Sequence, residues 1–362
     1  MTLCRHFGAC GGCRLQHLEP DAYRSHKRDR VFAALAGAGL ENAKIADLLA
    51  VPEKSRRRAV LKFGKEAGQT VAGFHAPASH RIVDMHECLV LKTSLLNLAS
   101  CLRTALARLL AEGEKAEVHV TETDAGLDMA FRWRRAFTPV LARTIAEAFP
   151  GAARIVFNGE MLALRATPVV RLGEIAIIPP PHAFLQATRE GEDTLRARVL
   201  ALTQGATRIV DLFAGLGTLT LALARQAKVH AVEEDGQALG ALVQAARNAS
   251  GLKPITTERR DLFKRPLSAP ELEAFDAVVL DPPRAGALAQ IKKLASSKTR
   301  RIAYVSCDAA SFARDAGILV EAGFQMGEVT PVDQFLYSDH IELVAGFARQ
   351  IGSPFHRIGD PI

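Results

Sequence analysis

Three positions with reactive side chains lie at the ends of apolar runs in the C-terminal half of the 362-residue chain: Cys307 in Ala303-Tyr304-Val305-Ser306-Cys307-Asp308, Asp281 in Leu280-Asp281-Pro282-Pro283-Arg284, and Glu342 in Asp339-His340-Ile341-Glu342-Leu343. A thiolate is a nucleophile, and a carboxylate can take a proton. Each also has a plainer reading. A cysteine at a strand end is commonly an inert core residue, although the polar neighbours Ser306 and Asp308 do not suit an apolar interior. The prolines after Asp281 fix its turn, as they would in any rigid strand–helix connection. Glu342 at the head of an apolar strand could be a charge that guards a sheet edge. His340, two residues earlier on the same strand face, is a rival base.

Together these groups suit one reaction on a pyrimidine ring. Carbon 5 of uracil is too weak a nucleophile to take a methyl group from a sulfonium. Addition of a thiolate to carbon 6 gives an enolate with carbanion character at carbon 5, which can take the methyl group. A base must then remove the carbon-5 hydrogen so that the thiolate can leave. Asp281 could hydrogen-bond the uracil edge and stabilise the enolate.

A cofactor loop precedes these residues. Val210-Asp211-Leu212-Phe213-Ala214-Gly215-Leu216-Gly217-Thr218 reads as a strand, a glycine turn and a helix start. Gly215 and Gly217 remove side chains where a ligand approaches the backbone. Gly-x-Gly alone would fit a nicotinamide enzyme equally well. However, the third glycine of the dinucleotide fingerprint is replaced by Thr220. Glu233 closes the next strand 18 residues after Gly215, where a carboxylate can accept ribose hydroxyls. Asp261 follows the third strand, on the expected adenine side. These details favour S-adenosylmethionine.

The elements that must position these groups form two patterns. From about residue 190 the chain alternates a helix (Glu190–Leu202) and apolar strands at Arg208–Phe213, Lys228–Glu233, Ile255–Glu258, Ala277–Leu280, Arg301–Val305 and Ile341–Phe347. Such alternation predicts an α/β, Rossmann-like, mostly parallel sheet with ligands beyond the carboxyl ends of its strands. The N-terminal part is expected to be α+β. Its helices are predicted near Tyr23–Ala36 and over 93–113. Its strands are predicted at Arg58–Gly64, Thr70–His75, Arg81–Met85, Ala116–Glu122, Leu127–Phe131, Arg154–Asn158 and Glu174–Ile178. The proline run Pro179–Pro181 marks a boundary. The expected organisation is 1–92 (cysteine-rich and basic), 93–183 (remainder of the N-terminal α+β part), 184–348 (cofactor and catalytic domain) and 349–362 (tail).

Charge is uneven. Residues 1–65 carry 13 Lys/Arg against 6 Asp/Glu, which accounts for the whole net charge of +7. A basic end on a neutral body suits a polyanion, and Lys54, Arg56, Arg57 and Arg58 form its densest run, expected to meet RNA phosphates. A solvated basic turn would have the same composition. No secretory signal and no apolar run long enough to span a membrane is present in the sequence, so a cytoplasmic location is expected. There are six cysteines, and Cys4, Cys10 and Cys13 lie within ten residues. In that compartment clustered cysteines more often bind metal or act catalytically than form disulfides. Cys101 is expected on the apolar face of its helix, in the core.

The C-terminal motifs resemble the RNA 5-methyluridine methyltransferases over residues 180–348. They read Asp211–Gly217, Asp281–Arg284, Ser306–Asp308 followed by Ala313-Arg314-Asp315, His340–Glu342, and Phe184-Leu185-Gln186 at the domain junction. The resemblance implies a class I methyltransferase sheet, with Cys307 as nucleophile, Glu342 as base and Asp281 as substrate and cofactor contact. It also implies that Gln186, Phe213, Gly215, Gly217, Thr218, Glu233 and Asp261 meet S-adenosylmethionine. Cys4-x5-Cys10-Gly11-Gly12-Cys13 with Cys88 is similar to the ligand pattern of the family's iron–sulfur branch, whose 23S rRNA uracil-5-methyltransferases it resembles. Those four thiolates would hold a [4Fe–4S] cluster, with a structural Cys4 zinc site as the rival. The resemblance implies an RNA partner, ribosomal RNA ahead of a transfer RNA T-loop; no obligate protein partner is inferred, and a monomer is expected. The chain departs from the family pattern at Thr218, where an Asn is usual, and it starts three residues before Cys4, where members with this cysteine pattern often carry a small β-barrel RNA-binding domain; either that domain is absent or the chain is a truncated version. The strand-four turn has no cysteine, which argues against cytosine as the target. A catalytically inactive RNA- or cluster-binding protein on the same fold is the alternative outside enzymes.

Overall fold

The computed structural model describes residues 3–349, so the expected tail falls almost wholly outside the described residues. The chain divides into two compact units that interleave in sequence. The first comprises residues 3–23, 50–192 and 334–339, and the second residues 24–49, 193–333 and 340–349.

The first unit is built on a seven-stranded sheet. Its order is Ile82–Asp84, Gln69–His75, Arg58–Glu66, Lys115–Thr123, Gly126–Arg132, Ala152–Phe157 and Glu160–Leu164. All neighbours are antiparallel except Gly126–Arg132 and Ala152–Phe157, which run parallel. A parallel pair needs a crossover, and the helix Pro139–Ala148 supplies it, capped by the Thr138 side chain accepting from Leu141 N. Alternation along Arg58–Glu66 sends Leu61 and Phe63 inward. There Phe63 meets Phe131 and Trp133 edge-on, beneath Leu95, Leu98 and Leu102 of the helix Thr93–Ala105. That helix ends eight residues short of its predicted bound. Cys101 is exposed rather than in the core. Leu95, Leu98, Ala99 and Leu102 define the buried face, and at 100° per residue Cys101 points roughly 110° away from it.

The second unit has the expected parallel sheet. Arg301–Ser306, Ala277–Leu280, Arg208–Leu212, Lys228–Glu233 and Ile255–Arg259 are parallel neighbours in that order. Glu342–Ala348 lies antiparallel beside Arg301–Ser306, with the antiparallel strand Thr330–Asp333 on its other side. Thr330–Asp333 is not legible from the sequence, because four residues containing Pro331 fall below any strand pattern. Strand order therefore reverses between Arg208–Leu212 and Ala277–Leu280, the kind of switch point at which open α/β sheets bind ligands. Ile209, Val279, Ala303, Val305 and Val344 are buried on one side of this sheet, against Leu195, Val199, Leu219 and Leu223. Among the described residues no helix is long and apolar enough to cross a membrane.

Candidate active site

The carboxyl ends of the five parallel strands carry, in chain order, the turn Phe213–Thr218, then Glu233, Asp261, Asp281 and Cys307. Glu342 reaches the same edge from the opposite direction. Its strand is antiparallel, and Ser306 pairs with Leu343, so the next residues along, Cys307 and Glu342, are level. Cys307 is half-buried. Burial pushes its thiol up to about 12, and the negative charges of Glu342 and Asp281 push in the same direction. Those charges act on one thiol, so the structure brings together the three residues singled out from sequence. His340 precedes the strand and is exposed, whereas Glu342 is buried.

The polar neighbours of Cys307 have structural work. Asp308 caps the helix Ala309–Glu321, accepting from Ala310 N and Ser311 N, and Arg284 donates to its other oxygen at 3.2 Å. Burial opposes ionisation of Asp308, but the Ser311 amide and Arg284 hold its carboxyl below the usual range. Asp315, fully buried, ties the loop after Asp281 to the strand that leads to Cys307. Its Oδ2 accepts from Tyr304 Oη at 2.7 Å and Ala287 N at 2.8 Å, while Oδ1 accepts from Arg314, which also donates to Ala285 O. The Ala313-Arg314-Asp315 motif is thus a clamp between the turn after Asp281 and the strand that ends one residue before Cys307. Asp315→Ala would leave the buried Tyr304 hydroxyl and the Ala287 amide without their acceptor and take one of two acceptors from Arg314, and is expected to lower unfolding stability by about 3 kcal/mol. A denaturant titration checks this. A loss within error would remove the clamp from any role in stability.

The glycine loop has the backbone its sequence demands. Gly217 has φ +85°, and a Cβ there would lie 2.4 Å from Leu242 Cδ1. Glu233 is fixed by three backbone donors, Gly215 N at 2.9 Å, Glu234 N at 2.8 Å and Asp235 N at 3.0 Å. Phe213 stacks at a tilt on Phe263, 5.5 Å between centroids. Asp261 caps the Phe263 and Lys264 amides and pairs with Lys264, which holds its carboxyl below the usual range. Thr218 opens the helix Thr218–Leu223. Thr220, at the third-glycine position, donates to buried Asp211 at 2.5 Å. A glycine there would forfeit that bond, which gives the departure from the dinucleotide fingerprint a physical reason. Burial raises Asp211 to about 7, against the Thr220 bond and with help from Asp281 and Glu233. Asp281 keeps some solvent-facing surface, yet protein walls it closely enough that burial raises it to about 7 as well. Sequence reading missed Asp211 as a titrating group, since its burial is a property of the sheet.

The other expected residues belong to the first unit. Gln186 is buried and accepts from Gln334 Nε2 at 2.6 Å. Of the basic run, Lys54 is exposed with φ +54°. Arg57 points inward to buried Glu192 at 2.5 Å, so its guanidinium is committed within the protein. Arg56 and Arg58 border a cavity with His119, Asp128 and His182. Arg58 also stacks over Phe184, 4.4 Å from the ring centroid, and Phe184 is 61% exposed. Burial, then Arg56 and Arg57, lower Arg58 to about 10. Cys4, Cys10 and Cys13 have thiols raised chiefly by burial, and Cys88 contributes to each shift. Gly12 N donates to Cys10 Sγ at 3.4 Å and Leu91 N to Cys88 Sγ at 3.5 Å. Gly11 packs so near His75 O that a Cβ would lie 2.7 Å from it. Among the described residues, no three His, Cys, Asp or Glu side chains are grouped to hold a metal ion.

A family model described as "Conserved hypothetical protein 95" matches residues 186–309. An uncharacterized RNA methyltransferase of Rhizobium meliloti is 42% identical, over 94% of this chain and 84% of the relative. The 23S rRNA (uracil(1939)-C(5))-methyltransferase RlmD of Chromohalobacter salexigens is 33% identical, over 94% of this chain and 74% of the relative. Among solved structures, the Pyrococcus abyssi tRNA (uracil-54, C5)-methyltransferase in complex with S-adenosyl-L-homocysteine is similar in fold. Its TM-score is 0.74 at 22% identity, over 94% of this chain and 86% of that one.

Proposed function

We propose, from the premise that the chain belongs to the RNA methyltransferase family of these curated relatives, that it methylates carbon 5 of uridine through a covalent bond from Cys307 to carbon 6. The observation that carries this reading is the level placement of Cys307 and Glu342 on neighbouring antiparallel strands, with Asp281 close enough to shift the same thiol. The fold and the Gly215–Gly217 turn suit S-adenosylmethionine, which supplies an electrophilic methyl group when bound. Glu233, held by three amides, would face its ribose, and Phe213, Thr218 and Asp261 the rest of the nucleoside. Gln186 is proposed as a further contact. The Cys307 thiol loses its proton to solvent, and the thiolate adds to carbon 6, leaving the electron pair of the 5,6 double bond on carbon 5 as the enolate. Carbon 5 takes the methyl group, Glu342 takes the carbon-5 hydrogen as a proton, and the carbon–sulfur bond breaks to regenerate the double bond. Asp281 holds the uracil edge. Lys54, Arg56 and Arg58 are proposed to meet RNA phosphates, with ribosomal RNA ahead of transfer RNA.

The test maps 5-methyluridine by mass in ribosomal and transfer RNA from a strain lacking the gene. Loss of one methyl group from either RNA, restored by the purified protein, supports the reading and names the substrate. No loss from either overturns it. A second expected result concerns charge. Asp211 and Asp281, each near 7, are favoured in their ionised forms by a sulfonium and not by the neutral thioether product. Affinity for S-adenosylmethionine relative to S-adenosylhomocysteine should therefore rise several-fold from pH 6 to pH 8 in calorimetric titrations. A constant ratio would remove these carboxylates from cofactor selection.

Cys4, Cys10, Cys13 and Cys88 are proposed to hold a [4Fe–4S] cluster. In support, Cys88 acts on the thiols of Cys4, Cys10 and Cys13 in turn, and two of the four sulfurs, those of Cys10 and Cys88, accept amide N–H bonds, as cluster thiolates do. Anaerobically purified protein should contain about four iron and four sulfide per chain. One zinc per chain and no sulfide would replace the cluster with the rival site.

A further inference from the structure

Lys27 lies in the middle of the helix Pro20–Ala36, within the charged run Ser25-His26-Lys27-Arg28-Asp29-Arg30. Unlike its charged neighbours it has no solvent exposure at all, and neither has Asp333. Its ammonium donates to Asp333 Oδ1 at 2.9 Å and to the His340 carbonyl at 2.6 Å. These acceptors stand on the two chain segments that meet at Glu342. Asp333 ends the strand whose preceding residue, Val332, pairs with Glu342, and His340 lies two residues ahead of Glu342, in the segment that leads into its strand. One buried cation therefore pins both sides of the strand pair at the end where the carboxylate faces Cys307.

A fully buried ammonium–carboxylate pair costs both groups their hydration, and an apolar pair of equal volume commonly gives equal or greater stability. Stability alone thus does not account for a lysine here. Register does, because a reacting group displaced by about 1 Å can lose on the order of 10²-fold in rate. We infer that Lys27 is a positioning residue for the general base: by tying Asp333 to the His340 carbonyl, it sets Glu342 against the carbon-5 hydrogen of the substrate adduct. The inference rests on the roles proposed above for Cys307 and Glu342.

That role has a signature that a merely structural one lacks. Glu342 acts after sulfur has added and the methyl group has moved, so a misplaced base delays only release. Methylated RNA should then remain bonded to the protein. The experiment incubates each protein with methyl-labelled S-adenosylmethionine and total RNA from a strain lacking the gene, and counts label in denaturant-stable protein–RNA complexes and in free RNA. The variants are Lys27→Met, the double variant Lys27→Met/Asp333→Leu, which removes both charges of the pair, and Glu342→Gln as reference. Glu342→Gln should accumulate labelled complex. Both Lys27 variants should hold at least tenfold more labelled complex than the wild type while their free product falls at least tenfold. If Glu342→Gln accumulates complex and the folded double variant does not, Lys27 has no positioning role. If Glu342→Gln itself accumulates none, the assignment of Glu342 as base fails, and the inference falls with it.

Discussion

Cys307→Ala should lose methyl transfer to uridine by on the order of 10⁴-fold or more, the scale seen when a covalent nucleophile is removed. Binding of RNA and cofactor should be nearly unchanged. The size of the effect follows from the chemistry: without sulfur at carbon 6, carbon 5 has no electron pair to offer the methyl group. RNA containing 5-fluorouridine separates this from a binding defect. Fluorine at carbon 5 cannot leave as a proton, so the wild-type protein should remain attached to the RNA in denaturant and Cys307→Ala should not. Equal attachment of both proteins would exclude Cys307 as the nucleophile. The free enzyme offers an independent check. With its thiol held near 12 by burial and by Glu342 and Asp281, Cys307 is almost wholly protonated at neutral pH. Its alkylation by iodoacetamide, followed by peptide mass, should rise about tenfold per pH unit between 7 and 9, as the thiolate fraction does. Exposed Cys101 serves as the internal reference. A profile for Cys307 that flattens below pH 9 would show a thiol already ionised.

Much of this site is legible in the sequence because strand ends are. Apolar runs that stop at Glu233, Asp281 and Ser306 place the following residues at one sheet edge once the sheet is known to be parallel. The level placement of Glu342 is less accessible, because it depends on an antiparallel register that no local pattern encodes. Lys27 is harder still. Its sequence neighbours are all polar, and acceptors 306 and 313 positions away, Asp333 and the His340 carbonyl, separate it from a solvated helix face. Arg57 shows the reverse error: composition groups it with Arg56 and Arg58, but just ahead of the strand Arg58–Glu66 its guanidinium turns inward to Glu192. Cys101 fails for a related reason, since a helix with a narrow buried stripe leaves an apolar residue one step off that stripe in solvent. Ser306 and Asp308 read as polar company for a reactive thiol, but their polarity serves a turn and a helix cap. The catalytic reading of Cys307 therefore draws its support from Glu342 and Asp281 rather than from its immediate neighbours.

Glu342→Gln is the second change with a large expected effect, and its value lies in which step it stops. The amide keeps the volume of the buried side chain but cannot accept the carbon-5 hydrogen as a proton. Turnover should fall by about 10²- to 10⁴-fold, the usual contribution of a positioned general base. Addition of sulfur and transfer of the methyl group need no base at Glu342, so they should proceed once on each enzyme. The expected result is a single burst of methyl incorporation, close to one per enzyme, with the label retained on protein-bound RNA. The same substitution removes one of the negative charges that hold the Cys307 thiol high. Alkylation of Cys307 in the free variant should accordingly be several-fold faster than in the wild type at pH 8, even though the variant hardly turns over. Faster alkylation together with stalled release would place one carboxylate beside the nucleophile and assign it to the final proton transfer. A variant that turns over at the wild-type rate would pass the role of base to another group, with His340 the first to examine.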